Sequence, residues 1–284
     1  VRCSHLPAHL AVRSSVRVGI DGLVICWVIL GSIWFYQLTV LSGRFEDLRR
    51  VFDRLGGGDL RIQAILIAFC FGGLLEALAG FGAPVAITAT MILALGVRPL
   101  KAAITVLLAN TAPVAFGAVA VPIVTAGDVG GKDPHVIATI VGHQAPFLAM
   151  LVPLILLVIL DGMKGLKDAW LPALVIGVSF AIAQWITAAT PAYNLTDVVA
   201  CIVSMGVAVV FLQFWKPRGV AGVRESYGLP AQAEEKEALP AVRVWMALLP
   251  YVIVVAIFGV ANLHAGLKAW LKSFVIKIDI QALS

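Results

Sequence analysis

The chain has 284 residues, 61% of them hydrophobic and only 13% charged, with a formal net charge of +5 and a mean hydropathy of +0.98. Soluble domains carry about 25% charged residues, so this composition excludes a water-soluble globule. The basic balance does not indicate nucleic-acid binding, because Lys and Arg fall in short segments between apolar runs and no basic patch interleaved with aromatics occurs, the pattern that orients membrane helices.

In chain order, residues 1–19 form an N-terminal extension of unclear origin. It opens on Val1, mixes Arg, His, Ser and Pro, and lacks the long apolar core of a signal peptide. A membrane transport domain is expected over 20–215, a solvated cytoplasmic linker over 216–244, and a further membrane helix with a truncated or interfacial tail over 245–284. Apolar spans are expected at about 20–41, 62–79, 81–97, 102–125, 144–160, 170–188, 197–215 and 245–263, each near the roughly 20 residues that cross a bilayer. The tail from Leu267 to Leu283 alternates Lys with apolar residues, as an interfacial helix or the start of a span would.

The run from 62 to 97 is apolar for 36 residues yet holds Glu76 and the helix-breaking Gly80-Phe81-Gly82-Ala83-Pro84. One straight helix of that length would measure roughly 54 Å against a hydrocarbon core of about 30 Å. Charge distribution argues the same way. The 42–61 segment holds five Lys or Arg, and Arg98 and Lys101 follow the run. A hairpin keeps both basic segments on the cytoplasmic side, and every later loop then alternates correctly. The expectation is a broken helical hairpin over about 62–97, re-entrant or crossing twice. A discontinuous helix follows over about 102–125, opened by Asn110-Thr111-Ala112-Pro113, because Pro113 lacks a backbone donor and disfavours helix just before it. The fold class is all-α, a polytopic integral membrane protein containing one half of an inverted-repeat transporter core.

Three groups carry candidate chemistry. Glu76 beside a helix break either binds a co-transported proton, since a low-dielectric site favours the neutral acid, or caps the hairpin's own N–H groups. Gly80, Gly82 and Pro84 either expose backbone N–H groups to an anion at a half-helix N-terminus or form a tight turn for packing. Asn110, Thr111 and Pro113 either make a second polar wall for the substrate or join helices through hydrogen bonds. Gln184 and Ser179 read as inter-helix contacts, and His143 as an exposed residue at the end of a 126–143 loop. Trp27, Trp34, Tyr36, Trp170, Trp185 and Trp215 mostly lie near span ends, as interfacial anchors do. Cys3, Cys26, Cys70 and Cys201 lack paired spacing, and no His-Glu-x-x-His, nucleophile–base pair or metal cluster occurs. No enzyme, cofactor or metal is expected.

The runs FCFGGLLEALAGFGAPVAIT, LLANTAPVAFGAVAVPI, GHQAPFL, DGMKG and SFAIAQ resemble the lactate permease family. The likeness extends from about Gly22 to Pro217 and is densest over Phe69–Ile123. It implies a secondary transporter importing lactate or glycolate, small monocarboxylate anions, with protons across the bacterial inner (plasma) membrane. Glu76 would couple the proton, and Gly80, Gly82, Pro84, Asn110, Thr111 and Pro113 would bind the substrate. Two positions depart from the family's usual LEGAAGFG: Ala77 stands for Gly and Leu78 for a small residue. His143 replaces an Arg found in some members. Family members are longer, so the resemblance implies an N-terminal fragment that lacks a C-terminal half. The alternatives are a transporter of another small organic anion with the same architecture, or an inactive fragment of such a permease.

Overall fold

The computed structural model describes residues 37–80, 82–215, 219–228 and 240–263, with single positions at 30, 31, 34, 266, 267, 270 and 273. The 1–19 extension, most of the 20–41 span, Trp27, Tyr36, Phe81, Cys3, Cys26 and nearly all of the tail lie outside the described residues.

Every described element is helical. α1 (Arg44–Leu55) is followed by α2 (Leu60–Ile65), a π-helical turn (Leu66–Phe71) and α3 (Gly72–Ala79). After a break come α4 (Ala83–Ala94), α5 (Pro99–Ala109), a 3-10 turn (Val114–Phe116) and α6 (Gly117–Gly130). Then follow α7 (Pro134–Ala188), a 3-10 turn (Tyr193–Leu195), α8 (Thr196–Phe214), α9 (Val220–Ser226) and α10 (Ala241–Leu263). Leu60–Leu78, Pro134–Ala188 and Tyr193–Phe214 are each long and apolar enough to cross a membrane, and α5 with the Val114–Gly130 segment makes a pair bent by 58°. The protein is a polytopic transmembrane protein.

The expected hairpin is present. Asp59 starts α2 by accepting from the Arg61 N–H, a side-chain N-cap. The first arm ends at Gly80, whose φ of 64° and ψ of −165° fall in a region open essentially to glycine alone. Gly82 follows in the left-handed region at φ 72°, and Pro84 sits within the first turn of α4, where its missing N–H costs nothing. The arms then run back alongside each other: a Cβ built on Gly72 would lie 3.1 Å from Thr88 Cγ2.

α7 is a second hairpin rather than one 55-residue rod. Gly162 (φ 66°, ψ −157°) and Ala169 interrupt its helical dihedrals. A Cβ on Gly177 would run into the Met150 carbonyl, and one on Gly142 into the Ala188 methyl, so the two halves lie antiparallel about residues 163–165. The expected spans at 144–160 and 170–188 are its two arms. Two connections differ from expectation. The 126–143 loop shrinks to Gly131–Asp133, because Asp133 caps α7 through the His135 N–H at 2.9 Å and starts the helix early. The 216–244 linker holds a helix of its own, α9, whose Val223 is buried.

The basic segments meet at one end of the bundle. Arg61, fully buried, pairs with Asp59 at 2.8 Å, Asp161 at 3.0 Å and Asp168 at 3.5 Å. Lys101 Nζ donates to the Leu160 carbonyl at 3.0 Å, as does the Tyr227 hydroxyl at 2.5 Å. Arg224 reaches the Gly58 carbonyl at 3.4 Å. Asp47 joins α1 to α10 through Arg243 at 2.8 Å. At the other end His135 Nε2 lies 3.3 Å from the Ala189 carbonyl. Arg61, Lys101 and Arg224 thus gather at one end of the bundle.

The polarity of the body is reversed relative to a soluble protein. Phe147, Leu148, Ile186, Val210 and Phe214 are exposed, whereas Gln63, Glu76, Thr105, Gln184, Asp197 and Ser204 are buried. Apolar outer faces and interior polar groups are what a hydrocarbon solvent selects, since intramembrane polar side chains turn toward protein or an aqueous cavity.

Candidate functional site

The site forms where the two interrupted segments touch. Glu76, on the last turns of α3, is only 4% exposed. Its Oε2 accepts the Gly82 N–H at 3.2 Å, and the Asn110 side chain lies beside the same carboxylate. Glu76, Gly82 and Asn110, apart in sequence, thus lie together in one polar cluster. Gly80 is buried against the backbone of Ala118, and Glu76 Oε1 stands 3.5 Å from where a Gly117 Cβ would be.

The remaining expected residues divide. Pro84 is buried behind the break. Pro113 is buried near Gly73, at the opening of α5 that its ring dictates. Thr111 is exposed and donates its hydroxyl to the Leu108 carbonyl at 2.6 Å, on its own chain turn. Among the described residues no contact ties it to Glu76. Ser179 likewise bonds within its helix, to the Ile176 carbonyl at 3.0 Å. His143 is helical rather than at a loop end, with Nδ1 2.6 Å from the Thr139 carbonyl.

Two features escaped sequence reasoning. Asp197, 1% exposed, accepts from Gln184 Nε2 at 2.8 Å and lies close to the Phe116 backbone N–H and to Glu76. Its place at the start of an apolar run resembles an ordinary first-turn acid on a helix. The available signal was its pairing with Gln184, a polar residue inside an otherwise apolar span. The second feature is a left-handed turn: Ala118, Val119 and Ala120 have φ of 48°, 58° and 61°. Each non-glycine residue there costs roughly 1–2 kcal/mol, and Ala118 and Ala120 are small enough to fit. Such strain persists only where surrounding packing enforces it, here beside Gly80 and the buried Phe116.

Among the described residues no group of three or more His, Cys, Asp or Glu could hold a metal. What the cluster offers is one carboxylate against backbone and amide donors at a half-helix N-terminus, with a second carboxylate behind it.

Comparison with known proteins places this geometry. The L-lactate permease family profile matches residues 1–281. The chain belongs to the L-lactate permease family. It is 38% identical over 272 residues to the L-lactate permease of Bacillus subtilis (strain 168), covering 92% of this chain and 48% of that protein. It is 45% identical over 214 residues to the glycolate permease GlcA of Escherichia coli (strain K12), covering 75% of this chain and 38% of that protein. The L-lactate permease of Salmonella typhimurium is 42% identical over 213 residues, with 75% and 38% covered. The chain thus spans less than half the length of these relatives. No solved structure matches it. Its relatives are permeases, not enzymes.

Proposed function

We propose that this chain forms the substrate-facing part of a secondary transporter that imports lactate or glycolate with protons across the bacterial inner membrane, basic end inward. Residues 20–215 make the transport domain, and the α2–α6 segment acts as one half of an inverted-repeat core. The observation that carries the reading is the Gly82 N–H to Glu76 hydrogen bond at 3.2 Å.

The anion-binding end of α4 is engaged by the protein's own carboxylate. A half-helix N-terminus favours negative charge, and Glu76 supplies it when ionised. A proton on Glu76 removes that charge and weakens its hold on Gly82 and Asn110. The carboxylate of a monocarboxylate substrate then takes over these donors. Gly80, Gly82 and Pro84 shape the N-terminus, while Asn110 and Pro113 form the facing wall. Proton and anion bind together because one frees the donors that the other needs, a positive coupling between two ligands. A larger organic anion would use the same donors, and only uptake data separate the two.

Labelled lactate and glycolate uptake is the test, in cells lacking their own permeases and expressing this chain. It is run alone and beside the part of the Bacillus subtilis relative that this chain does not match. Uptake driven by an imposed inward proton gradient and abolished by its collapse is expected. Uptake of neither anion in either arrangement would remove the proposal.

A further inference from the structure

We propose that Asp197 and Gln184 form an acid–amide pair closed by a resident proton on Asp197, leaving Glu76 as the carboxylate that exchanges its proton. The functional part of this statement rests on the transport reading above; the protonation itself does not.

The geometry starts from atoms left without partners. Gln184 Nε2 donates to Asp197 Oδ1 at 2.8 Å. The other oxygen of each side chain, Gln184 Oε1 and Asp197 Oδ2, is buried and finds no hydrogen-bond partner among the described residues. Both are acceptors when Asp197 is ionised, and a buried acceptor without a partner costs about 1–3 kcal/mol. Gln184 is 0% and Asp197 1% exposed, so bulk water does not relieve either. One proton placed on Oδ2 turns that oxygen into a donor and Gln184 Oε1 into its acceptor. A single proton thus satisfies both orphans and closes an eight-membered ring of two hydrogen bonds. An amide flip cannot do this, because it would set oxygen against oxygen.

The groups around Asp197 agree. Glu76 faces it from α3, and Cys201 lies one turn along α8. Gln184 donates from α7, and the Phe116 backbone N–H lies nearby in the 3-10 turn. The nearby ionisable groups are thus a carboxylate and a thiol, neither of which favours a second negative charge. Glu76 differs in kind. Its Oε2 accepts the Gly82 N–H and the Asn110 side chain lies beside it, so the ionised form already faces donors. Asp197 therefore keeps its proton as a positioning residue that orients Phe116 and the strained turn. Glu76 alone changes charge, so one proton accompanies each monocarboxylate and the cycle moves no net charge.

Infrared difference spectroscopy on the full chain in lipid, with hydrogen–deuterium exchange, reads the proton directly. A protonated-carboxyl C=O band is expected at neutral pH. Asp197→Asn should remove it while the protein melts at an unchanged temperature, because Asn donates to Gln184 Oε1 and accepts from Nε2 as the acid does. Asp197→Leu should melt distinctly earlier, since it strands the whole Gln184 amide. Glu76→Gln should leave the band. If the band survives Asp197→Asn, or Asp197→Asn melts as early as Asp197→Leu, the inference is overturned. If Glu76→Gln removes the band instead, the resident proton belongs to Glu76; this inference then fails while proton coupling through Glu76 stands.

Discussion

Replacing Glu76 by Gln is expected to lower proton-driven uptake of lactate or glycolate by about two orders of magnitude, roughly 2.7 kcal/mol at about 1.4 kcal/mol per tenfold. The amide keeps the shape of the side chain and accepts the Gly82 N–H through its oxygen, so the fold is retained. It cannot ionise, so it neither takes up the proton nor releases it. Exchange of labelled anion for unlabelled anion across the membrane needs no net proton movement and is expected to persist. Loss of accumulation with retained exchange is the pattern that assigns coupling to this carboxylate. Uptake with unchanged rate and pH dependence would take Glu76 out of the mechanism, and would leave it as a cap on its own hairpin.

Gly80→Ala is expected to be the most damaging small substitution in the site. The residue sits at φ 64° and ψ −165°, where a Cβ costs about 1–3 kcal/mol in strain. The new methyl would also stand 2.5 Å from the Ala118 Cβ and 3.0 Å from the Ala118 nitrogen. Neither neighbour is the end of a flexible side chain, so relief requires backbone movement, and overpacking of this kind costs roughly 1–3 kcal/mol more. Thermal unfolding in detergent should show a loss of about 2–6 kcal/mol, with uptake lost alongside. Gly82→Ala makes the comparison: its Cβ meets nothing within 4 Å, so only left-handed strain of about 1–2 kcal/mol applies. Equal stabilities for the two variants would mean that Gly80 does not pack against the second break.

Much of this arrangement is legible in the residues themselves. The hairpin follows from a length that exceeds the bilayer and from glycines at Gly80 and Gly82 that permit positive φ. The second break follows from Pro113. The grouping of Arg61, Lys101 and Arg224 at one end accords with the Lys and Arg counts, whereas the pairing of Arg61 with Asp161 and Asp168 is seen only in the fold. What local signals could not give was pairing across long separations. Asp197 meets the Phe116 N–H only because the α7 hairpin brings α8 back to the site, and no property of Asp197 itself announces that. Thr111 neighbours Asn110, yet successive residues at a helix end point in different directions, and Thr111 is exposed. The left-handed Ala118–Ala120 turn was equally hidden, because alanine and valine ordinarily favour right-handed backbone. The 126–143 segment is mostly helical rather than a loop because its polar residues, Asp133 above all, start a helix instead of interrupting one.

The fold-back at Gly80–Gly82 supports everything proposed for Glu76, and a cross-link tests it most directly. In a background with the native cysteines removed, Gly72→Cys and Thr88→Cys are introduced together, and the chain is oxidised in membranes. The hairpin brings these two positions into contact, a Gly72 Cβ lying 3.1 Å from Thr88 Cγ2 and 3.7 Å from its Oγ1, and a disulfide needs such close approach. Efficient intramolecular cross-linking is predicted. A continuous helix would hold the same positions about 24 Å apart, and two thiols that stay reduced under oxidation yet react freely with a small maleimide would contradict the account.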